Sequence, residues 1–346
     1  RQPSPRAATA AEKQIPISLT CFIKSRSPPR YHIMKRNKLS IVIAGSLSVC
    51  AAGISTAHPV QDESRPSFPA NFESGIVGHI GISGGLNMVS EADGGSNDEA
   101  SVPFYGIDAS ITIPTANDFL ITLDGTIRWD NFDSDADFDD DEDPDSQYTL
   151  GLHALKQITD DTRAGIFLGY SDTKSQGDPS SDDYDVWMLG LEAHHFLHDD
   201  LFLYTQLGYG QKGRDGDDDG EGFVGGLIFR AGATYFLCEN SSINVDFEFA
   251  NTYNYIDSSD PGRFLGLTAT YETKPWDEQP LYLSVFGRYD YYSSTDEGDD
   301  IDEFQLGIGL KYYFGAGSKI EATRKGASIG MPRLPGRASA WTEYLD

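Results

Sequence analysis

The sequence of 346 residues lacks a long apolar run and has few cysteines. No stretch reaches about 18 consecutive apolar residues, so the sequence predicts no membrane-spanning helix. Of the three cysteines, Cys21 and Cys50 lie in an N-terminal segment that we expect to be removed, which leaves Cys238 alone. An intramolecular disulfide is then excluded in the remaining chain, and its stability has to come from elsewhere in the fold.

Positive charge is also scarce. The chain has 26 Lys and Arg against 54 Asp and Glu, a net charge of −28. Residues 1–57 hold nine of the bases and one of the acids, so the rest carries 17 bases and 53 acids, a net charge of −36. Such a surface disfavours binding to nucleic acid or to an anionic membrane face and favours cations as partners.

An export signal precedes the acidic part. After Met34 come three basic residues, an apolar stretch over 39–49 and the small residues Ser55-Thr56-Ala57. This order predicts a signal peptide over 34–57 and a mature chain from His58. Val49 stands before Cys50 where a lipoprotein signal needs a small residue, so we do not predict lipidation. Residues 1–33 are interpreted as an over-extended reading frame, and 58–73 as a periplasmic linker.

From Ser74 onward the chain alternates between apolar and polar residues. Between Phe304 and Phe314 every second residue is large and apolar, which predicts a strand with one apolar and one polar face. Runs of this kind recur and predict about twelve strands of near ten residues, the length of a tilted membrane strand. They lie at 75–89, 103–113, 119–130, 147–156, 162–171, 184–197, 201–211, 223–237, 243–256, 263–272, 281–292 and 303–314.

The connections and aromatic residues favour a membrane barrel over a soluble sandwich. Mostly short turns alternate with longer connections rich in Asp and Gly, which cover 90–102, 131–146, 172–183, 212–222, 257–262 and 293–302. Outward-facing aromatics cluster near both ends of the strands, as the two interfaces of a bilayer require. Those near the long connections are Trp129, Tyr148, Tyr170, Trp187, Tyr209, Tyr253, Tyr289 and Phe304; those near the short turns are Phe119, Tyr235, Tyr271, Tyr312 and Phe314.

With its alternating last strand and terminal aromatic, the chain resembles the Gram-negative outer-membrane β-barrel proteins, porin-like in type, over residues 74–314. The resemblance implies an all-β, transmembrane antiparallel up-and-down barrel of about twelve strands. It implies long acidic loops outside the cell, both mature termini in the periplasm, and contact with outer-membrane lipid, lipopolysaccharide and the barrel assembly machinery. Whether the barrels form homo-oligomers is left open. Barrels of this family usually stop at the aromatic, whereas here a basic tail follows, residues 315–346, which we predict to be disordered and periplasmic.

Charged residues at inward positions are candidates for lining a pore. We predict that rings of opposite charge there form a selective constriction. The open alternative is that these charges pair and close a narrow barrel. The predicted pore-lining set is Asp124, Arg128, Glu192, Arg230, Asp246, Glu248, Arg288, Asp290 and Lys311.

A run of aspartates in one long connection is a candidate cation site. Alternate carboxylates at Asp133, Asp135, Asp137 and Asp139 could converge on Ca²⁺ or Mg²⁺, which prefer oxygen ligands. The run lacks the glycine and the spaced glutamate of an EF-hand loop, so a solvated charge run is the alternative. No other cofactor is predicted.

Enzymatic activity is not predicted. His79, His153 and His194 face inward and none lies in a long connection, and the G-x-S-x-G sequence at 81–85 sits inside a strand rather than at a strand–turn–helix elbow. A histidine in contact with an acid inside the lumen would strengthen the enzymatic alternative. The favoured function is a porin-like channel for passive diffusion of small hydrophilic solutes or cations. The alternative is a closed structural or adhesive barrel whose acidic loops bind divalent cations.

Overall fold

The computed structural model describes residues 75–93, 96–115, 118–130, 145–174, 184–213, 225–252, 262–276, 278–293, 300–326 and 329–333. Within them no helix is long and apolar enough to cross a membrane. The predicted linker and signal peptide lie outside the described residues.

Twelve antiparallel strands form one closed barrel in which each strand pairs with its neighbours in sequence. The last strand closes on the first, with partners running from Gly78↔Phe314 to Ala92↔Asp300. This confirms the predicted fold class and the closing role of Phe304–Phe314. The strands are β1 (Val77–Asp93), β2 (Ser96–Pro114), β3 (Phe119–Asp130), β4 (Asp145–Thr159), β5 (Thr162–Lys174), β6 (Tyr184–His198), β7 (Leu201–Lys212), β8 (Gly225–Cys238), β9 (Ser241–Thr252), β10 (Arg263–Thr273), β11 (Leu281–Ser293) and β12 (Asp300–Phe314).

Side chains alternate across the barrel wall as the sequence pattern predicts. On β1, Ile80 and Ile82 are 55 % and 56 % exposed on the outer face, whereas Asn87 is fully buried on the inner face. Outward aromatics meet across strands: the Tyr170 and Trp187 rings lie 4.8 Å apart, and the Tyr105 and Trp129 rings stack at 5.2 Å. An aliphatic outer surface with aromatics towards its edges suits a bilayer and its interfaces. Tyr253 lies outside the described residues.

The first hairpin is longer than predicted. Residues 90–102 were expected to form a long connection, but β1 continues to Asp93, β2 begins at Ser96, and the ladder stays in register from Val89↔Ala100 to Asp93↔Ser96. Strand pairing uses backbone groups, so it can continue where side chains on both faces are polar and the alternation disappears. The end of β1 is therefore predicted too early and the start of β2 too late, at the points where the alternation of apolar and polar residues stops and resumes.

One rim of the barrel, called the short-turn rim, carries the tight connections at 160–161, 199–200 and 239–240 together with those at 115–118 and 274–280. The chain leaves β12 at this rim and forms a short helix, α1 (Lys319–Arg324). Residues 315–326 and 329–333, called the C-terminal segment, contact inner-face side chains of the barrel. The prediction that the tail is disordered is wrong for these residues, whereas 327–328 and 334–346 lie outside the described part.

Buried apolar side chains form clusters inside the barrel rather than one continuous core. One cluster joins Phe167, Met188 and Ile228 on the wall with Met331 of the C-terminal segment. A second, of phenylalanines on β6, β7 and β8 together with Tyr204, packs against Ile320 and Ile329 of the segment. The segment therefore contributes part of the interior packing.

Candidate functional site: the barrel lumen

The predicted pore-lining residues of β8, β9 and β11 form a chain of ion pairs on the inner face. Arg230 Nη2 lies 2.6 Å from Asp246 Oδ2, and Arg230 Nε lies 3.5 Å from Glu248 Oε1. Glu248 also binds Arg288 at 3.2 Å, and Arg288 Nε contacts Asp290 Oδ2 at 2.6 Å. All five side chains are buried. Each guanidinium thus lies between two carboxylates, an arrangement that offsets the cost of removing these charges from water.

The other predicted lumen residues are paired as well. His153 bridges two carboxylates, with Nε2 2.6 Å from Asp124 Oδ2 and Nδ1 2.9 Å from Glu192 Oε2. Arg128 contacts Asp130 at 2.7 Å, and Lys311 contacts Asp108 at 3.2 Å. The structure therefore brings the predicted set onto one inner face and pairs its members, while their role in lining a pore stays a prediction.

Several buried charges of the inner face were missing from the predicted set. They share an inward position on their strands, so the same alternation that found the others would have found them. They are Asp130, Arg163, Glu272 and Glu303. The buried charges of the strands comprise seven carboxylates but only three arginines, so acid predominates on the barrel wall.

A histidine does contact an acid in the lumen. His79 Nε2 lies 2.7 Å from Asp108 Oδ2, and the Ser110 hydroxyl lies 2.9 Å from His79 Nδ1. These are the groups of a serine hydrolase, yet Ser110 is buried and is not among the residues that line the adjacent cavity, although His79 and Asp108 are. A nucleophile needs access to its substrate, and Asp108 is also engaged by Lys311. His79 and His153 thus both make the acid contact that strengthens the enzymatic alternative, but the Ser110 hydroxyl beside His79 is buried.

The C-terminal segment enters the lumen at the short-turn rim. Gly315 has φ +76°, and an added Cβ there would overlap the carbonyl of Ile76, so only glycine allows this change of direction. Ser318 then caps α1 by accepting a hydrogen bond from Glu321 N at 3.2 Å. Lys319 N donates to the Glu239 carbonyl at 2.9 Å, which fixes the start of the helix to the turn after β8.

The middle of the segment is held by side chains of three wall strands. Thr112 Oγ1 donates to the Gly326 carbonyl at 2.7 Å, and the Arg163 guanidinium donates to the Arg324 carbonyl. Gly326 has φ +92°, and a Cβ there would lie 2.6 Å from Leu120 Cδ1. Both the backbone angle and the packing therefore require glycine at 326.

Farther along, the segment contacts the ion-pair chain. The Gly330 carbonyl accepts hydrogen bonds from Arg230 Nη1 at 3.0 Å and from Gln206 Nε2 at 3.3 Å. Arg333 N donates to Glu248 Oε2 at 3.1 Å. Residues that could bind a solute in the lumen are thus engaged by the chain's own backbone.

The segment brings positive charge to the acidic wall. Lys319 Nζ lies 2.6 Å from Glu272 Oε1, and Arg324 Nη2 lies 3.4 Å from Asp199 Oδ1. Burial lowers the pKa of Lys319, and Lys311 adds to this effect, although Glu272 opposes it. The barrel wall and the segment are therefore electrostatically complementary.

Open space lies beside the C-terminal segment in the described lumen. A cavity of about 210 Å³ extends beside the segment and is lined by residues from both, including Asp108, Glu248, Glu272, Lys311 and Lys319. A second space of about 70 Å³ lies near Met331 and Gln147. Both spaces lie between the wall and the C-terminal segment.

The predicted cation site cannot be placed, because Asp133, Asp135, Asp137 and Asp139 lie outside the described residues. Within the described strands and C-terminal segment, no group of three or more His, Cys, Asp or Glu is arranged to hold a metal ion. Loop-bound Ca²⁺ or Mg²⁺ stays a prediction.

Comparisons with known proteins show a shared fold. No protein-family model and no curated protein matches the chain. Among solved structures, it is similar to an outer-membrane channel from Pseudomonas putida F1, with 11 % identity, a TM-score of 0.50, and coverage of 74 % of this chain and 100 % of that chain. The P. putida toluene transporter TodX has 8 % identity, a TM-score of 0.41 and coverage of 72 % and 92 %. The translocator domain of the autotransporter NalP from Neisseria meningitidis has 11 % identity, a TM-score of 0.40 and coverage of 80 % and 98 %.

Proposed function

We propose that this protein is a channel of a Gram-negative outer membrane that passes small hydrophilic solutes by passive diffusion and favours cations. The observation that carries the proposal is a closed barrel with an apolar outer face and a charged inner face. A bilayer accommodates such an exterior, and an interior of this polarity is suited to water and solutes. The fold shared with an outer-membrane channel agrees with this function. We do not assign an enzymatic activity.

Cation preference follows from the charge of the inner face. Carboxylates outnumber arginines among the buried wall residues, and the net charge of the sequence beyond residue 57 is strongly negative. A negative lumen walled by low-dielectric material concentrates cations and repels anions. The acidic long connections, which we place outside the cell, would add to this attraction, with both termini of the mature chain in the periplasm.

In this proposal, the C-terminal segment closes the channel. The C-terminal segment binds Thr112, Arg163, Gln206 and Arg230, and little free volume is left beside it. Passage of a solute would require the segment to leave or to shift. The segment's glycines and short helix give it no strand-like attachment to the wall, which is consistent with a separable plug.

Planar-bilayer recording tests the cation preference. We expect a chain ending at Phe314 to give single-channel current steps. Across a KCl gradient, its reversal potential should have the sign that selective permeation of K⁺ produces. Replacing a buried wall carboxylate, for example Glu303→Gln, should shift that potential towards zero. A reversal potential on the Cl⁻ side would contradict the proposal.

The closed structural or adhesive barrel is the second candidate. Pairing of all predicted lumen charges, together with the buried C-terminal segment, favours it. Persistent electrical silence of both the full chain and the chain ending at Phe314, with both shown to be inserted in the membrane, would establish it over the channel. In either case, outer-membrane lipid and lipopolysaccharide would surround the barrel, and the assembly machinery would insert it.

A further inference from the structure

We propose that the barrel wall contains a receptor site for primary ammonium groups, formed by Glu272, Tyr313 and Tyr282, which the chain fills with its own Lys319. Linear di- and polyamines are the solute class that would compete for it. Binding of such an amine would displace Lys319 and loosen the C-terminal segment. The ammonium site itself does not depend on the proposed channel function, but any effect of the amine on conductance does.

The chemistry around Lys319 Nζ is that of ammonium recognition. The carboxylate of Glu272 lies 2.6 Å away, the Tyr313 ring centroid lies 4.4 Å away, and Nζ also donates to the Tyr313 hydroxyl. A carboxylate, an aromatic face and a hydroxyl acceptor together satisfy the charge and the donors of an ammonium group. Glu272 is 6 % exposed, so the pairing takes place away from bulk water.

The receptor half of the site belongs to the wall, and Ala322 of α1 packs against its two tyrosines. Glu272 lies on β10, Tyr282 on β11 and Tyr313 on β12. The Tyr282 and Tyr313 rings pack edge to face at 5.0 Å, and Tyr282 OH donates to Asn240 Oδ1 at 2.9 Å. These contacts do not involve the Lys319 side chain, so we expect its replacement to leave the site arranged for another ammonium group.

The adjoining cavity accounts for the choice of di- and polyamines. Glu272, Tyr313 and Lys319 line the space of about 210 Å³ that also reaches Asp108, Asp246 and Glu248. A linear amine that places one ammonium at Glu272 can extend its chain into this space. Its second ammonium would compete there with Arg230, Arg288 and Lys311 for the carboxylates that they bind. A monoamine would gain only the first contact.

Competition between amine and Lys319 also follows from the way the segment is attached. Lys319 is the first residue of α1, and its side chain and backbone bind Glu272 and Glu239 respectively. An amine at Glu272 takes the side-chain contact from the segment without touching its other anchors at Gly326 and Gly330. We therefore expect amines to shift the segment towards release rather than to remove it outright.

Calorimetric titration of the full chain in detergent with spermidine tests the site. Lys319→Met leaves the receptor half vacant, so we expect spermidine to bind this variant about tenfold more tightly than the unmodified chain, where Lys319 competes. Glu272→Gln in the Lys319→Met background should abolish the gain. Lys325→Met is the matched control, because Lys325 is a cation of the same segment that pairs with Glu321 at 2.7 Å rather than with the wall.

A second measurement on the unmodified chain covers the case in which Lys319→Met does not fold. Spermidine should increase protease cleavage within 315–333, and 1,8-octanediol, a linear molecule without charge, should not. Equal spermidine affinity in Lys319→Met and Lys325→Met, or cleavage unaffected by spermidine, would overturn the ammonium site. Spermidine binding without any conductance would support the ammonium site and contradict the channel function. Conductance without spermidine binding would support the channel function and contradict the ammonium site.

Discussion

Deleting residues 315–346 is expected to raise single-channel conductance severalfold above that of the full chain. The segment binds inner-face residues from the short-turn rim at Glu239 to the ion-pair chain at Arg230, and the free space beside it is only about 210 Å³. Removing it would take its contacts with the inner-face side chains out of the described lumen. Conductance depends on the open cross-section and on the charges that line it.

Point variants of the full chain provide the matched comparison for this deletion. Gly326→Ala introduces both a strained backbone angle and a Cβ 2.6 Å from Leu120 Cδ1, whereas Gly330→Ala, at φ +76°, introduces the strained angle with no atom within 4 Å of the new Cβ. The left-handed conformation costs a non-glycine residue about 1–2 kcal/mol. Gly326→Ala should therefore open the channel more often than Gly330→Ala does.

Planar-bilayer recordings of the four proteins at equal membrane insertion give the answer. The expected order of open probability is full chain, Gly330→Ala, Gly326→Ala and deletion, from lowest to highest. Equal conductance in the full chain and the deletion variant would show that the segment does not obstruct the lumen. An open probability of Gly330→Ala at or above that of Gly326→Ala would contradict the packing at Leu120.

Replacing Arg230 by methionine is expected to lower the free energy of unfolding by about 3–5 kcal/mol, the usual cost of breaking a buried ion pair from one side. Asp246 would lose its bidentate partner, Glu248 one of its two arginines, and the Gly330 carbonyl a hydrogen bond. Arg230 thus supports both the wall and the attachment of the C-terminal segment.

A double-variant cycle separates these two contributions. Asp246→Asn in the Arg230→Met background removes the unpaired carboxylate, so stability should recover in large part, while the Gly330 contact stays lost. Denaturant unfolding in detergent measures stability, and protease cleavage within 315–333 measures attachment of the segment. No recovery in the double variant, or unchanged cleavage in Arg230→Met, would argue against the dual role.

Much of the barrel could be predicted from the sequence because each strand alternates apolar and polar residues with a period of two. The alternation in Phe304–Phe314 predicts both the closing strand and its outward face, and all twelve strands exist in the structure. The pattern fails where β1 and β2 continue through 90–102, since the ladder there does not depend on an apolar face. Strand ends beyond the apolar band are therefore the least predictable part of a barrel.

The sequence pattern predicts which residues face the lumen, but it does not predict whether their charges pair with one another. The alternation of inward and outward positions along each strand identifies residues such as Arg230 and Glu248. It gives no distances between side chains, so it cannot distinguish an open ring of charges from paired charges. The C-terminal segment was missed because its Gly, Pro and Ser content indicated disorder. Ser318 with Glu321 three residues later and Gly326 beyond form a capping and termination signal that predicts α1. Its burial in the lumen depends on tertiary contacts such as Arg163 with the Arg324 carbonyl, which local sequence does not reveal.

Cysteine cross-linking in the membrane tests most directly whether the C-terminal segment occupies the lumen. A Cβ at Gly151 on β4 would lie 2.7 Å from Met331 Cγ and 2.7 Å from Asp124 Oδ1, so we expect cysteines at 151 and 331 to form a disulfide once the Asp124 side chain shifts. In a chain with Cys21, Cys50 and Cys238 replaced by serine, Gly151→Cys with Met331→Cys should cross-link, and conductance should rise only after reduction. Absence of the cross-link in inserted barrels, or equal conductance of the oxidised and reduced forms, would contradict a channel closed by its own C-terminal segment.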